Sequence, residues 1–157
     1  MSEHFGFSND EWDLLTEVPL EIYLAMLSAD VAVDSFDAEE AAYGKSLLQT
    51  AEQCAINSWM RKALEQASRP TAAQAHGATS MSEQELSAHL EELADILKKR
   101  VGELDAHKFC ELLVHFAERI AAASAGPFPG SPRVTKAEGD LIWRMRQALG
   151  LTHTLHP

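Results

Sequence analysis

The feature that most constrains this chain is a repeated helix-start signal. A capping box places Ser, Thr or Asp at the N-cap and Glu three residues on, so that each end satisfies a backbone N–H left orphaned by the first turn. The pattern occurs at Ser8 with Glu11, Asp37 with Glu40, Ser82 with Glu85, and Thr135 with Glu138. Apolar residues at helical spacing follow each one. Val and Ile are few, and no stretch sustains period-2 alternation. The expected fold is therefore all-α, with six or seven helices in a bundle-like domain. The 157 residues suit one domain with its own core, and need no disulfide or metal to hold it. Two halves are expected, about residues 8–67 and 82–151, joined by a loop over 68–81 rich in Ala, Ser, Thr and Gly.

The spacing predicts a short helix over Asn9–Glu17 and a second from Pro19 to about Val33, with Pro19 in its first turn. A third runs from Ala38 to about Cys54 and either continues or restarts near Asn57–Ser58, ending near Ala67. The next spans Glu83 to about Val101, with Lys98, Lys99 and Arg100 at its negative end. Two more cover roughly Ala106–Ser124 and Lys136–Leu149, and Gly150 stops the last. On a helical wheel Leu20, Ile22, Tyr23, Leu24, Met26 and Leu27 leave only Glu21 and Ser28 on a polar strip, so the second helix should be central and buried. The 106–124 helix shows one stripe, Phe109, Leu113, Phe116 and Ile120, opposite His107, Glu111, His115 and Glu118. It is expected to pack one face only. Trp12, Trp59 and Trp143 fall at helical apolar positions and are expected in the core or in contacts between helices. A helix ending in small residues leads to a capped helix in each half, which suggests two units related by a pseudo-two-fold axis.

Charge narrows the function. Residues 1–67 hold thirteen acids and three bases, whereas residues 68–157 hold eleven acids and ten bases. An acidic first half repels nucleic-acid phosphates and attracts cations or a basic protein partner. The longest apolar stretch, Val18–Val33, is interrupted by Glu21, Ser28 and Asp30, so no membrane span is expected. The opening residues lack the basic and apolar regions of a secretory signal. Cys54 and Cys110 stand in no Cys-x-x-Cys motif and read as reduced thiols, which suits a cytoplasmic location. Self-association is left open.

The densest acidic stretch is Asp30, Asp34, Asp37, Glu39 and Glu40. Each acid has a structural explanation, as a cap, a turn former, or a favourable charge at a helix start. Together they also offer oxygen ligands to a hard divalent cation, Ca²⁺ or Mg²⁺. The loop is not an EF-hand. Counted from Asp30, the third, fifth, sixth and twelfth positions hold Ala32, Asp34, Ser35 and Ala41.

An apolar helix ending in Ala29-Asp30, a short loop and the Glu-rich helix start resemble the tellurite-resistance TerB family, which includes the N-terminal domain of some membrane-anchored J-domain co-chaperones. The closing segment, from Val134-Thr-Lys-Ala-Glu138 to Leu149-Gly150, is similar to that family's second hallmark. The resemblance covers about Val18 to Leu151. It implies two pseudo-repeated helical units, a non-enzymatic stress-response role, and metal binding by acidic residues, here Asp30, Asp37, Glu40 and Glu138. Val31 stands where the family often has Gly.

Other constellations are thinner. His107, Glu111 and His115 share a helix face and could seed a transition-metal site with His89 or Glu92, as in a metal-dependent helical-bundle enzyme. A ferritin-like site wants Glu-x-x-His, whereas Glu85–His89 and Glu111–His115 are four apart. No Gly-x-Ser-x-Gly or phosphate-binding Gly loop is present. The overall expectation is a non-enzymatic cytoplasmic stress-response protein that binds a divalent cation at the acidic loop, with an acidic protein-interaction module that holds no metal as the alternative and a metal-dependent helical-bundle enzyme as the third reading.

Overall fold

The computed structural model describes residues 5–29, 36–68, 82–123 and 136–151, with the side chains of 27–29, 36–43, 122–123 and 136–138 outside that description. The described residues form six helices and no strand, in the order α1 (Asn9–Ala29), α2 (Phe36–Ala51), α3 (Trp59–Ala67), α4 (Glu83–Arg100), α5 (Glu103–Ala123) and α6 (Lys136–Ala148). The all-α expectation holds. No described helix is long and apolar enough to cross a membrane.

Local chemistry explains the ends. At Ser8 the capping box is complete: the Ser8 N–H donates to Glu11 Oε1 at 2.8 Å, and the Glu11 N–H donates to Ser8 Oγ at 3.1 Å. Phe7, just before the cap, is 2% exposed and lies 6.1 Å from the Trp12 ring. That contact is a hydrophobic staple, which fixes the angle at which the chain enters α1. Ser58 and Ser82 cap α3 and α4 by accepting from the Arg61 and Glu85 N–H groups. Gly150, at φ +74°, closes α6. The Leu151 N–H reaches Arg146 O at 2.8 Å and the Gly150 N–H reaches Gln147 O at 3.1 Å, the paired bonds of a Schellman stop.

Three boundaries depart from expectation. The first two expected helices are one, because α1 runs through Pro19. Proline removes a backbone bond there, but Pro19 is buried and flanked by the fully buried Val18 and Ile22. Packing on both sides outweighs the local break. Helix α2 opens at Phe36, so Asp37 lies inside its first turn rather than at its N-cap. Helix α5 starts at Glu103 rather than Ala106. Gly102, at φ +89°, takes a backbone conformation that costs other residues strain, and its carbonyl already accepts from the Ala106 N–H. Only Val101 and Gly102 separate α4 from α5, which makes this pair a tight helical hairpin.

All six helices contribute to one hydrophobic cluster. Helix α1 packs against α3, α4, α5 and α6, and α5 packs against α1, α2, α4 and α6. The expected burial of the segment after Pro19 is observed, with Ile22, Tyr23, Leu24, Ala25 and Met26 all in the core. The one-faced reading of the 106–124 helix is corrected. Beyond the Phe109–Leu113–Phe116–Ile120 stripe, α5 also buries Cys110, Leu112, Val114, Ala117 and Ala121, because four helices surround it. Trp143 is also corrected: it is 49% exposed, whereas Trp12 is buried and Trp59 half-buried. The Trp59 ring lies 5.0 Å from Phe109 and 5.4 Å from Phe7, so α3 clasps the α1 entry to α5.

Truncating Phe116, which is fully buried, should cost about 3–5 kcal/mol in chemical denaturation. Ser8→Ala should cost about 1 kcal/mol through loss of the cap. Glu118→Ala, on the exposed strip of α5, should change stability by less than about 0.5 kcal/mol.

Candidate functional site

The sequence-predicted cation ligands fall at the α1–α2 joint and at the start of α6. Asp30 and Asp34 lie outside the described residues, as do the side chains of Asp37, Glu39, Glu40 and Glu138. The helix bounds still fix where the acids fall in the chain. Asp30 directly follows the last residue of α1, Asp37 and Glu40 lie within the first five residues of α2, and Glu138 is the third residue of α6.

The His107–Glu111–His115 face is described in full. The two imidazole Nε2 atoms lie 3.7 and 4.0 Å from the Glu111 carboxylate, one toward each oxygen. Arg146 of α6 reaches the same carboxylate at 3.6 Å. The expected fourth ligands are elsewhere: His89 and Glu92 line a groove between α1 and α4. Among the described residues no three His, Cys, Asp or Glu side chains are placed to hold a metal ion.

That groove is the most distinctive polar feature of the described surface. It encloses about 350 Å³. Helix α1 supplies Asp10, Glu11, Asp13, Glu17 and Glu21, and α4 supplies His89 and Glu92, with Leu14 and Ile96 as its apolar walls. His89 Nδ1 lies 2.8 and 3.0 Å from the two Glu21 oxygens. When the carboxylate is ionised it only accepts, and Nδ1 then carries the hydrogen. Burial pushes the Glu21 carboxyl above its ordinary range, the bond and charge of His89 pull it back, and the charges of Glu17 and Glu85 raise it further. At the far end Glu11 behaves oppositely. The Ser8 N–H, and then Arg100, hold it below its ordinary range despite some desolvation. Arg100 Nε lies 3.0 Å from Glu11 Oε1, so the α1 cap also ties α1 to the end of α4.

In the sequence Glu21 stands out only as part of a polar strip, and His89 only as one candidate, beside Glu92, to complete the His107–Glu111–His115 face. The available signal was that Glu21 interrupts an otherwise apolar run. A helix that is buried nearly all round exposes a carboxylate only where a neighbour accommodates it.

A second cavity, of about 560 Å³, lies where α4, the start of α5 and the end of α6 meet. Cys110, Ala106, Leu149 and Leu151 line it and are buried, Lys98, Glu103 and His107 reach it, and Leu104 at its edge is 82% exposed. Burial pushes the Cys110 thiol up to about 12, so it is not a nucleophile at neutral pH. Cys54 is likewise buried and raised by desolvation.

No family model, curated protein or solved structure matches the chain.

The native protein should resist a disulfide thiol reagent at pH 8, with Cys110 reacting on the order of 10³-fold more slowly than a free thiol and both cysteines reacting promptly once denaturant is added. Rapid titration of either thiol in the folded protein would contradict the burial described.

Proposed function

We propose that this chain is a non-enzymatic binding protein that meets a basic protein partner through the acidic face shared by α1 and α4. The observation that carries this reading is the groove itself. It is lined by the carboxylates of Asp10, Glu11, Asp13, Glu17, Glu21 and Glu92 and by one imidazole, and among the described residues no lysine lines it. The carboxylates belong mostly to a half of the chain with thirteen acids and three bases. Such a field raises the rate of encounter with cationic surfaces and disfavours acidic ones. Leu14 and Ile96 add apolar contact beside the charges.

The second reading places a divalent cation, Ca²⁺ or Mg²⁺, at the α1–α2 joint, held by Asp30, Asp34, Asp37 and Glu40 with Glu138. It is favoured by the helix bounds, which gather four of these acids around one connection. The resemblance to the TerB family favours it too, and brings with it a proposed cytoplasmic stress-response role. Both readings use the same excess of negative charge, at different places.

One series of thermal-unfolding measurements separates them. Metal-free protein is titrated with Ca²⁺, Mg²⁺ or an oligolysine peptide. A ligand at 100 times its Kd should stabilise by about 2.7 kcal/mol. A rise with oligolysine that disappears in the Glu17→Lys, Glu92→Lys double variant supports the groove. A rise with an ion that disappears in Asp30→Asn supports the joint. If neither probe raises the transition temperature, both readings fail.

A further inference from the structure

The contact between Glu21 and His89 joins residues far apart in sequence across the α1–α4 interface, and both oxygens of the carboxylate face the same ring nitrogen. Its surroundings are one-sided. On α1 the nearby groups are Asp13 and Glu17, and on α4 they are Glu85 and Glu92. Asp10 and Glu11 lie at the far end, where Arg100 already engages Glu11. Among the described residues, neither α5 nor α6 contributes a charged side chain to the lining of the groove. With a neutral ring the pair bears one negative charge, half-buried among like charges. With a second proton on Nε2, taken from solvent, the same hydrogen bond becomes an ion pair of zero net charge.

We propose that the Glu21–His89 contact is a proton-operated fastener between α1 and α4, tightened when the pair takes up one proton and loosened when it gives that proton back. Burial, which already disfavours the charged form of Glu21, acts in the same direction. The sign follows from linkage. A pair that holds its proton more firmly in the folded chain than in the unfolded one adds stability that is full at low pH and is lost as pH rises through its titration. The fastener does not depend on what, if anything, binds the groove.

The test compares the full-length chain with His89→Gln and Glu21→Gln by thermal unfolding at pH 5.0 and 8.0, at constant ionic strength. Glutamine keeps a hydrogen-bonding group at either position but does not titrate. His107 and His115 are present in all three proteins, so their contributions cancel. The transition temperature of the parent protein should fall by about 2 °C more between the two pH values than that of His89→Gln, for a chain of this size, and Glu21→Gln should also remove part of the excess. Equal falls in all three proteins would overturn the proposal. A second measurement needs no variant: in an NMR pH titration of the parent protein, the His89 ring signals and the Glu21 backbone amide should move with one shared midpoint. Movement of the ring signals alone would also overturn it.

Discussion

The rest of the structure depends on the contact between two 21-residue helices, α1 and α5. Each packs against four others, and the two pack against one another. Phe109, Leu113 and Phe116 on α5 and Leu15, Val18 and Ile22 on α1 are removed from solvent almost completely. Burial of side chains of this size supplies roughly 1.5–3 kcal/mol each, against ordering costs of similar size. The shorter helices then act as covers. Helix α3 closes the aromatic corner through Trp59, α4 closes the polar side through His89 and Arg100, and α2 is tied to α5 where Arg119 donates to the buried Thr50 hydroxyl at 3.4 Å. Thr50 in turn donates to the Ser46 backbone carbonyl at 2.8 Å, so this buried hydroxyl both accepts from α5 and donates within its own helix.

The elements were legible because their starts are chemical. Ser8 and Ser82 cap where a side-chain oxygen can meet an orphan N–H, and Gly150 turns where only glycine does so without strain. Continuity was not legible. Pro19 carries the same local signal whether it opens a helix or sits inside one, and only the burial of its neighbours decides between them. The breadth of α5 was hidden for a related reason. Cys110, Val114, Ala117 and Ala121 are small or short, so they add little to a hydrophobic stripe, yet small residues are what let several helices approach one axis closely. Trp143 errs in the other direction. Its apolar character suggested a core position, but α6 buries the Leu141–Ile142–Met145–Leu149 side and leaves Trp143 opposite.

The candidate site was only half legible. The excess of acid in the first half is plain from composition, but the densest acidic stretch in the sequence is Asp30–Glu40, and the wheel sets only Glu21 of the α1 acids on a polar strip. The partner of Glu21 was not readable, because nothing in the sequence spacing links it to a histidine on α4. His89 lies on the same helix as Glu85 and Glu92, and that pattern suggested ligands for α5 rather than a bond to α1. Tertiary pairing of this kind is set by how two helices cross, which no single periodicity encodes.

The same crossing explains why the acidic groove sits where it does. Helix α1 must turn its apolar circumference toward four neighbours, so its remaining acids are confined to one narrow strip. Helix α4 presents Leu86, Leu90, Leu93 and Leu97 to the core, which leaves its own polar residues beside that strip. Charges concentrated in this way cannot spread apart without unburying leucines, so the repulsion is held in place by the core. Exposed pairs such as Arg100 with Glu11 offset little of it, since such contacts contribute at most about 1 kcal/mol. Arg144 pairs with Glu83 at the start of α4 and Arg100 with Glu11 near its end; the stretch between them, from Asp13 to Glu92, is lined by acids and a single histidine.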